Sequence, residues 1–451
     1  NTNVRNAPYI AVSVMFAILC AVMLGLAVWN RLKQGKGKLA LPIDKAFLLV
    51  AIVFIVIRLA QFDTLPRWDS ETYFAALRKA CENYEYDFPS LINNFFLAGH
   101  VSLGYALFLA MGYFIWPNAA QGVYAVNLLL SFAGFCCTWG ILRHAVKRKT
   151  SLQLLLAAFL IWCMPLTLGT FSGISLDYGI MLFLVFLLYS HIKQQYLLML
   201  FWALVLATTK ETGVICLAGY GVMCVLQKFL HQHGSFRDRG LALLKEKAMW
   251  ILLGSGGAFL LMRALQLLFG KSSWGTGISK SGLHNVFKWQ WDYVLLKLQT
   301  FFLLNFYWVL ALLMLYCVLA SAFGKKQRLR YLLLKNEEIC CAIGAAAAFI
   351  VFSCIYLTYN NPRYNVVVEY ILALDFCYVD HNRANGMQPC DRAAVRYYAG
   401  SVVLHSRPCY QGCVPEGKHR ISISDGDNRL VRLSFAAGRY YGLQQSIYLP
   451  G

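Results

Sequence analysis

Residues 88–142 read FPSLINNFFLAGHVSLGYALFLAMGYFIWPNAAQGVYAVNLLLSFAGFCCTWGIL, without a single Asp, Glu, Lys or Arg. A helix needs about 20 mostly apolar residues to cross the hydrocarbon core of a bilayer, so the stretch is long enough for two crossings. Backbone groups in lipid must pair within the segment, and the run lacks the alternation of barrel strands, so both crossings are expected to be helices. Ala7–Asn30, Ser151–Leu176, Leu298–Gly324 and Ile339–Pro362 are also free of those four residue types. Ala7–Asn30 is too long for the apolar part of a signal peptide and has no small-residue cleavage site before Arg31, so it reads as a span.

The whole chain fits these runs. Of its 451 residues 59% are hydrophobic and only 14% charged, against roughly a quarter charged in a soluble domain. A water-soluble enzyme, a nucleic-acid-binding protein and a disordered chain are excluded as readings of the whole. Neither GxGxxG nor GxxxxGK occurs, and no nucleic-acid partner is expected. Lys and Arg number 41 against 21 Asp and Glu, a net charge of +20. Much of the excess lies in short tracts between apolar runs, at Arg31–Lys38, Lys228–Lys247 and Lys325–Lys335. That is the positive-inside pattern of a polytopic membrane protein, and it places these tracts on the cytoplasmic side.

The candidate crossings are 8–29, 42–60, 95–117, 120–142, 152–170, 178–192, 196–209, 212–228, 248–269, 299–323 and 339–358. An odd number of them separates the first basic tract from the second, which cannot return the chain to the same side. One segment within 120–170 is therefore an incomplete crossing. Two features there compete for the place: Arg143–Lys149 is basic, and Met164-Pro165 interrupts the next helix, where proline removes a hydrogen bond and favours a broken or re-entrant element. Segments 61–94, 171–177, the surroundings of 210, 271–297 and 359–365 fall outside.

The organisation expected is residues 1–41 as an extra span with a basic loop, 42–374 as a transmembrane module, and 375–451 as a small terminal domain. In the last, Arg420–Ser424 (RISIS) and Arg429–Phe435 (RLVRLSF) alternate around Asp425-Gly426-Asp427-Asn428, which predicts a β-hairpin. Cys20, Cys136, Cys137, Cys163, Cys216, Cys224, Cys317, Cys340, Cys341 and Cys354 lie in apolar runs, where cysteine acts as a small hydrophobe. Cys81, Cys377, Cys390, Cys409 and Cys413 lie in polar sequence. Cys409-x3-Cys413 reads as a disulfide pair or half a metal site, and two possible disulfides suit an oxidising compartment, so the terminal domain is expected outside.

Ionisable residues gather at the outer ends of the crossings, where they are costly unless paired or functional. Asp69 and Glu71 follow Trp68 in the first outside loop, and Tyr73, Phe74, Leu77 and Cys81 give 70–81 the spacing of a surface amphipathic helix. Asp69 is either that helix's cap or a general base. His100 opens the third crossing, as a helix-end histidine or a substrate contact. Asp177 sits in Ser172–Tyr178, and Lys210-Glu211 interrupts LATTKETGVI as a solvated turn or a functional pair. Arg363-Tyr364 follows Asn361-Pro362, where arginine either snorkels to headgroups or binds substrate. Segment 271–297 adds Lys280, His284 and Lys288 among Trp274, Trp289, Trp291 and Tyr293, aromatics that serve as interfacial anchors or as a sugar platform.

Arg67-Trp-Asp69-Ser-Glu71-Thr-Tyr73, Gly99-His100-Val-Ser-Leu-Gly-Tyr105, Ser175-Leu-Asp177, Thr209-Lys-Glu-Thr-Gly213 and Asn361-Pro-Arg-Tyr364 occur in this order across roughly residues 45–370. In this the chain resembles the GT-C superfamily of polytopic glycosyltransferases, nearest the protein O-mannosyltransferase and lipid A aminoarabinose transferase group. It departs in Ser70, which separates two acids adjacent in that group, in Val101 where the group has proline, and in the additional first span. The fold class expected is thus an all-α polytopic membrane protein, with about 11 to 13 transmembrane helices and a small β-containing C-terminal extracytoplasmic domain.

The resemblance implies an inverting transferase that takes a sugar from a polyprenyl-phosphate donor. Asp69 would be the catalytic general base, with Glu71 as its neighbour or alternative. Lys210, Arg363, Tyr364, Lys280 and Lys288 would bind the donor phosphate. His100, Asp177, Glu211, Trp68 and His284 would position substrate, Asp177 by holding His100 or Lys210. The acceptor would be a protein, lipid or wall glycan. The setting would be a bacterial cytoplasmic membrane with the site on its outer face. No metal cluster is evident in the spacing, and a divalent ion at Asp69, Glu71 and Asp177 has no support from it. A lipid or sugar transporter or flippase, and a GT-C-like glycan ligase, are the competing readings.

Overall fold

The computed structural model describes residues 7–33, 45–66, 69–82, 87–97, 100–145, 150–171, 174–231, 236–269, 291–299, 337–356, 362–374, 420–424 and 430–434. They divide between two compact units, Asn1–Asn382 and Arg383–Gly451. Expectations at Trp68, Lys280, His284, Lys288, the 299–323 crossing, Cys317, Cys377, Cys390, Cys409 and Cys413 lie outside the described residues.

The first unit is a stack of helices. α1 (Ala7–Lys33) and α2 (Lys45–Leu59) occupy the first two predicted crossings. α3 (Asp69–Glu82) is the predicted amphipathic helix: Tyr73, Leu77, Ala80 and Cys81 are buried, and Asp69 and Glu71 stand in its first turn, where the helix dipole favours acids. α4 (Phe88–Asn93) is capped by Asp87, whose carboxylate accepts from Ser90 N at 2.8 Å.

A short antiparallel hairpin follows, β1 (Phe96–Leu97) against β2 (His100–Val101), so α5 begins at Leu103 and runs to Ile115. The sequence places the start of this crossing at 95. The difference lies with Ser102, whose hydroxyl accepts from Leu97 N at 2.7 Å and donates to Phe95 O at 3.3 Å. A short hydroxyl side chain that bonds local backbone competes with the helix in this way.

α6 (Ala120–Ala145) returns antiparallel to α5, and a Cβ on Gly112 would stand 2.2 Å from Gly122 O, so the two backbones nearly touch. α7 (Ser151–Trp162) and α8 (Pro165–Phe171) are bent by 60° at the predicted Met164-Pro165 break. Arg58 of α2 fills that break. Its Nη2 donates to Trp162 O at 2.7 Å and its Nη1 to Thr167 O at 3.4 Å, while its guanidinium stacks 4.7 Å from the Phe171 ring. A carbonyl that the broken helix leaves unpaired thus finds a buried donor.

α9 (Leu176–Ile192) is buried on every side, as a helix apolar all round must be, and it forms the centre of the unit. α6, α8, α10 (Tyr196–Ala207), α11 (Glu211–His231) and the later helix Glu337–Tyr356 pack against it, while α12 (Phe236–Leu243) lies on α11 and α13 (Lys247–Phe269) on α10 and α11. Helices Trp291–Gln299 and Glu337–Tyr356, a 3-10 turn Pro362–Asn365, and helical residues 366–374 complete the described part of this unit. Glu337–Tyr356 meets α11 through Gly219 and Gly344; a Cβ on Gly219 would lie 2.3 Å from Gly344 O. Small residues at such crossings let helices pack where lipid supplies no hydrophobic drive. Buried hydrogen bonds tie the layers together: Tyr105 donates to Asn127 at 2.6 Å, Trp162 to Thr138 at 2.8 Å, and Thr138 and Tyr370 share a bond of 2.6 Å.

Among the described residues three helices are long and apolar enough to cross a membrane, Ala120–His144, Glu211–Leu230 and Lys247–Phe269, or four if the bent α7–α8 pair is one span. Shorter apolar helices accompany them at Pro8–Val22, Leu103–Ile115, Leu176–Ile192, Tyr196–Ala207 and Ile339–Ile355. Leu48, Leu49, Ile52 and Val56 of α2, and Leu260, Leu261, Leu267 and Leu268 of α13, face outward. Exposed apolar faces of this extent belong in lipid. Cys20, Cys136, Cys137, Cys163, Cys216 and Cys354, in the apolar runs, are free thiols.

In the second unit, β3 (Arg420–Ser424) and β4 (Leu430–Ser434) form the predicted hairpin, antiparallel with Arg420 opposite Ser434 and Ser424 opposite Leu430.

Candidate functional site

The break between α10 and α11 builds the centre of the site. Thr208 and Thr209 turn their hydroxyls back onto Leu204 O and Val205 O, at 2.8 and 2.7 Å, as α10 ends. Gly213 N then donates to Lys210 O at 2.9 Å. The turn is so close that a Cβ on Gly213 would lie 2.3 Å from Leu206 O. Gly104 at the start of α5 packs equally tightly: its N–H donates to Thr208 O at 3.1 Å, and a Cβ would meet Val205 O at 2.3 Å. The Thr-Lys-Glu-Thr-Gly motif therefore makes a sharp helix break whose two central side chains diverge.

Lys210 turns inward. Its Nζ lies 2.9 Å from both carboxylate oxygens of Asp177 in the first turn of α9, and the side chains are 8% and 3% exposed. The ammonium also stands 4.7 Å over the ring of Tyr364, a cation–π contact. Burial opposes its charge, but Asp177 and the phenols of Tyr73 and Tyr364 outweigh burial and hold Lys210 above the ordinary lysine range.

Glu211 turns the other way. Its Oε2 is 2.8 Å from His100 Nδ1, and its Oε1 is 3.4 Å from Arg263 Nη1. The same Nη1 donates to Gln266 Oε1. This second cluster is more open, with His100 38%, Glu211 25% and Arg263 22% exposed. Tyr73 of α3 links the two. Its ring meets His100 edge-on at 6.3 Å, and its phenol feels Lys210, Asp177, Tyr364 and Glu211. Burial is the main reason that this phenol titrates above the ordinary tyrosine range.

The sequence motifs thus converge. Of the two roles open to Asp177, holding His100 or holding Lys210, the structure gives the second. Lys210 and Glu211 form two partly or wholly buried pairs rather than a solvated turn. Asp69 opens α3 one turn before Tyr73, and residues four apart share a helix face, so it lies on the side that meets His100. Glu71 is exposed on another side of that helix. Arg363 lies in the 3-10 turn that carries the buried Tyr364. Among the described residues no group of three His, Cys, Asp or Glu could hold a metal ion.

Arg263 and Gln266 are absent from the residues singled out by sequence. The signal was present: Arg263 is the lone charge between Lys247 and Lys271 in an apolar run, and an ionisable residue inside a span is a site candidate. Tyr73 was legible only as one apolar position of the amphipathic helix.

Together the apolar helices and the paired charges at their ends define a helical membrane protein. Comparison with protein-family models, with curated proteins and with solved structures finds no match.

Proposed function

We propose that the protein is a membrane-embedded inverting glycosyltransferase, of GT-C type with about 11 to 13 spans. It would move a sugar from a polyprenyl-phosphate donor to an acceptor hydroxyl on the outer face of a bacterial cytoplasmic membrane. The observation that carries this reading is the convergence of His100, Asp177, Lys210, Glu211 and Tyr364, far apart in sequence, around Tyr73 at one end of the helices.

In this reaction the acceptor oxygen attacks the anomeric carbon while its proton passes to a carboxylate. Asp69 takes that proton. The bond from the anomeric carbon to the phosphate oxygen breaks on the opposite face, and the electron pair leaves with the polyprenyl phosphate. One displacement inverts the configuration, so a second nucleophilic carboxylate has no part. Charge that develops on the leaving phosphate is met by fixed cationic and hydrogen-bonding groups. Lys210, held by Asp177, supplies a positive field from below, and Arg363 and Tyr364 enter on the 3-10 turn. Lys280, Lys288, His284 and Trp68 complete the proposed contacts. The acceptor is a protein, lipid or wall glycan.

The bent α7–α8 pair favours a transporter as the second reading, since discontinuous helices line many transport sites. Sealed vesicles that hold the protein separate the two. Supplied with polyprenyl-phosphate sugar and membrane extract, a transferase consumes the donor and yields polyprenyl phosphate with a glycosylated product. Movement of the lipid-linked sugar across the vesicle without its consumption sinks the transferase reading.

A further inference from the structure

Two groups at the site carry hydrogen-bond donors that the protein does not use. Arg263 commits only Nη1, to Glu211 and Gln266; Nε and Nη2 meet no acceptor among the described residues. Tyr73 is 5% exposed, yet its hydroxyl has no hydrogen-bond partner among the described residues and is not sealed from solvent. A nearly buried phenol left without a partner loses free energy unless a ligand or water completes it. Both groups touch the same pair, Tyr73 through the ring of His100 and Arg263 through the carboxylate of Glu211.

The place of Arg263 on α13 says what kind of ligand reaches it. Leu260, Ala264, Leu267 and Leu268 are exposed along one side of that helix, whereas Met262 and Gln266 are buried on the other. At 100° per residue Arg263 falls between Leu267 and Gln266, on the border of the lipid-facing side and the site. An anion that arrives there along the leucines is the head of an apolar chain. The charges agree: Glu211 neutralises one side of the guanidinium, and the opposite edge presents Nε and Nη2 together, the two-point fork that matches phosphate oxygens.

We propose that Tyr73 and Arg263 form the seat for the phosphate of a single-chain polyprenyl lipid, with Arg263 receiving it from the bilayer at α13 and the Tyr73 hydroxyl donating to a second oxygen. Lys210 stays with Asp177 and acts beneath the seat. This rests on the transferase reading and deepens it by naming donor contacts that the sequence motifs omit.

The test is a titration of the full chain, in nanodiscs of neutral phosphatidylcholine, with polyprenyl monophosphate. Polyprenol and inorganic phosphate serve as competitors. Wild type is expected to bind polyprenyl monophosphate saturably, with neither competitor displacing it at equal concentration. Arg263→Gln is expected to weaken binding by at least about tenfold, the loss of a charge-assisted contact, and Tyr73→Phe by about fivefold, the loss of a neutral one. Arg263→Lys is expected to restore part of the loss, because an ammonium keeps the charge without the fork.

Polyprenol binding as tight as that of the phosphate, in wild type and variants alike, overturns the seat. So does wild-type affinity in both Arg263→Gln and Tyr73→Phe. Displacement by inorganic phosphate at equal concentration means that the seat takes free phosphate and overturns its assignment to a lipid. If wild type binds no polyprenyl monophosphate, the donor class itself fails. Tyr73→Phe removes a single oxygen, so it carries the test even where Arg263→Gln does not fold.

Discussion

Lys210 Nζ stands 2.9 Å from both oxygens of the Asp177 carboxylate, and both side chains are buried. A buried pair of this kind is weak as a source of stability but expensive to break, because the survivor is left charged in an apolar place. Asp177→Ala is therefore expected to destabilise the protein by about 3 kcal/mol, and Lys210→Met by less than that. The double variant should lose less than the sum of the two. Thermal unfolding of the purified protein in detergent measures all three, and additive losses would show that the two groups do not depend on each other.

The buried Arg58 makes a comparable forecast at the α7–α8 break. Its guanidinium holds Trp162 O and Thr167 O while it stacks on Phe171. Arg58→Met keeps most of the apolar length but leaves both carbonyls without this donor, an expected loss of about 2 to 4 kcal/mol. Arg58→Lys has one compact donor group and no planar face, so about half of that loss is expected. The unfolding midpoints should fall in the order wild type, Arg58→Lys, Arg58→Met.

These two relationships show what the chain discloses and what it hides. The uncharged runs determine helices by themselves, because lipid forbids unpaired backbone, and the proline of Met164-Pro165 marked where α7 gives way to α8. The alternation around Asp425–Asn428 likewise revealed β3 and β4. The β1–β2 hairpin was hidden, since Phe95–Val101 is apolar enough to pass for the start of a helix and only the Ser102 hydroxyl redirects it. The partners of Lys210 and Glu211 were hidden for another reason. Adjacent residues at a helix break point apart, and which distant side chain each one meets depends on how α5, α9, α10 and α13 pack. Arg58 and Arg263 were read as part of apolar crossings, although each was the visible exception in its run.

Glycine positions give a contrast within one experiment. A Cβ on Gly213 would stand 2.3 Å from Leu206 O, whereas nothing lies within 4 Å of the Cβ position on Gly254 in α13. Gly213→Ala must push backbone from backbone, with an expected loss of about 1 to 3 kcal/mol. Gly254→Ala meets open space inside a helix and is expected to be neutral or to gain up to about 1 kcal/mol from helix propensity. Thermal unfolding distinguishes them, and the opposite order would contradict the closeness of the α10–α11 turn.

Asp69 and Glu71 belong to the same helical turn but to different faces of α3. Asp69 shares the side of Tyr73, whose ring meets His100, and Glu71 is exposed. Both acids suit the helix dipole, so their presence in the first turn does not by itself separate a structural role from a chemical one. Asparagine does separate them, because it satisfies a helix start about as well as aspartate but cannot accept a proton at neutral pH. Asp69→Asn is thus expected to keep the unfolding midpoint of wild type while transfer from a polyprenyl-phosphate sugar falls by about 100-fold or more, the contribution of a positioned general base. Glu71→Gln is expected to stay within about twofold of wild type, as exposed substitutions do. Equal losses in the two variants would mean that charge in the first turn matters rather than position, and near-wild-type transfer in Asp69→Asn would remove Asp69 as the base.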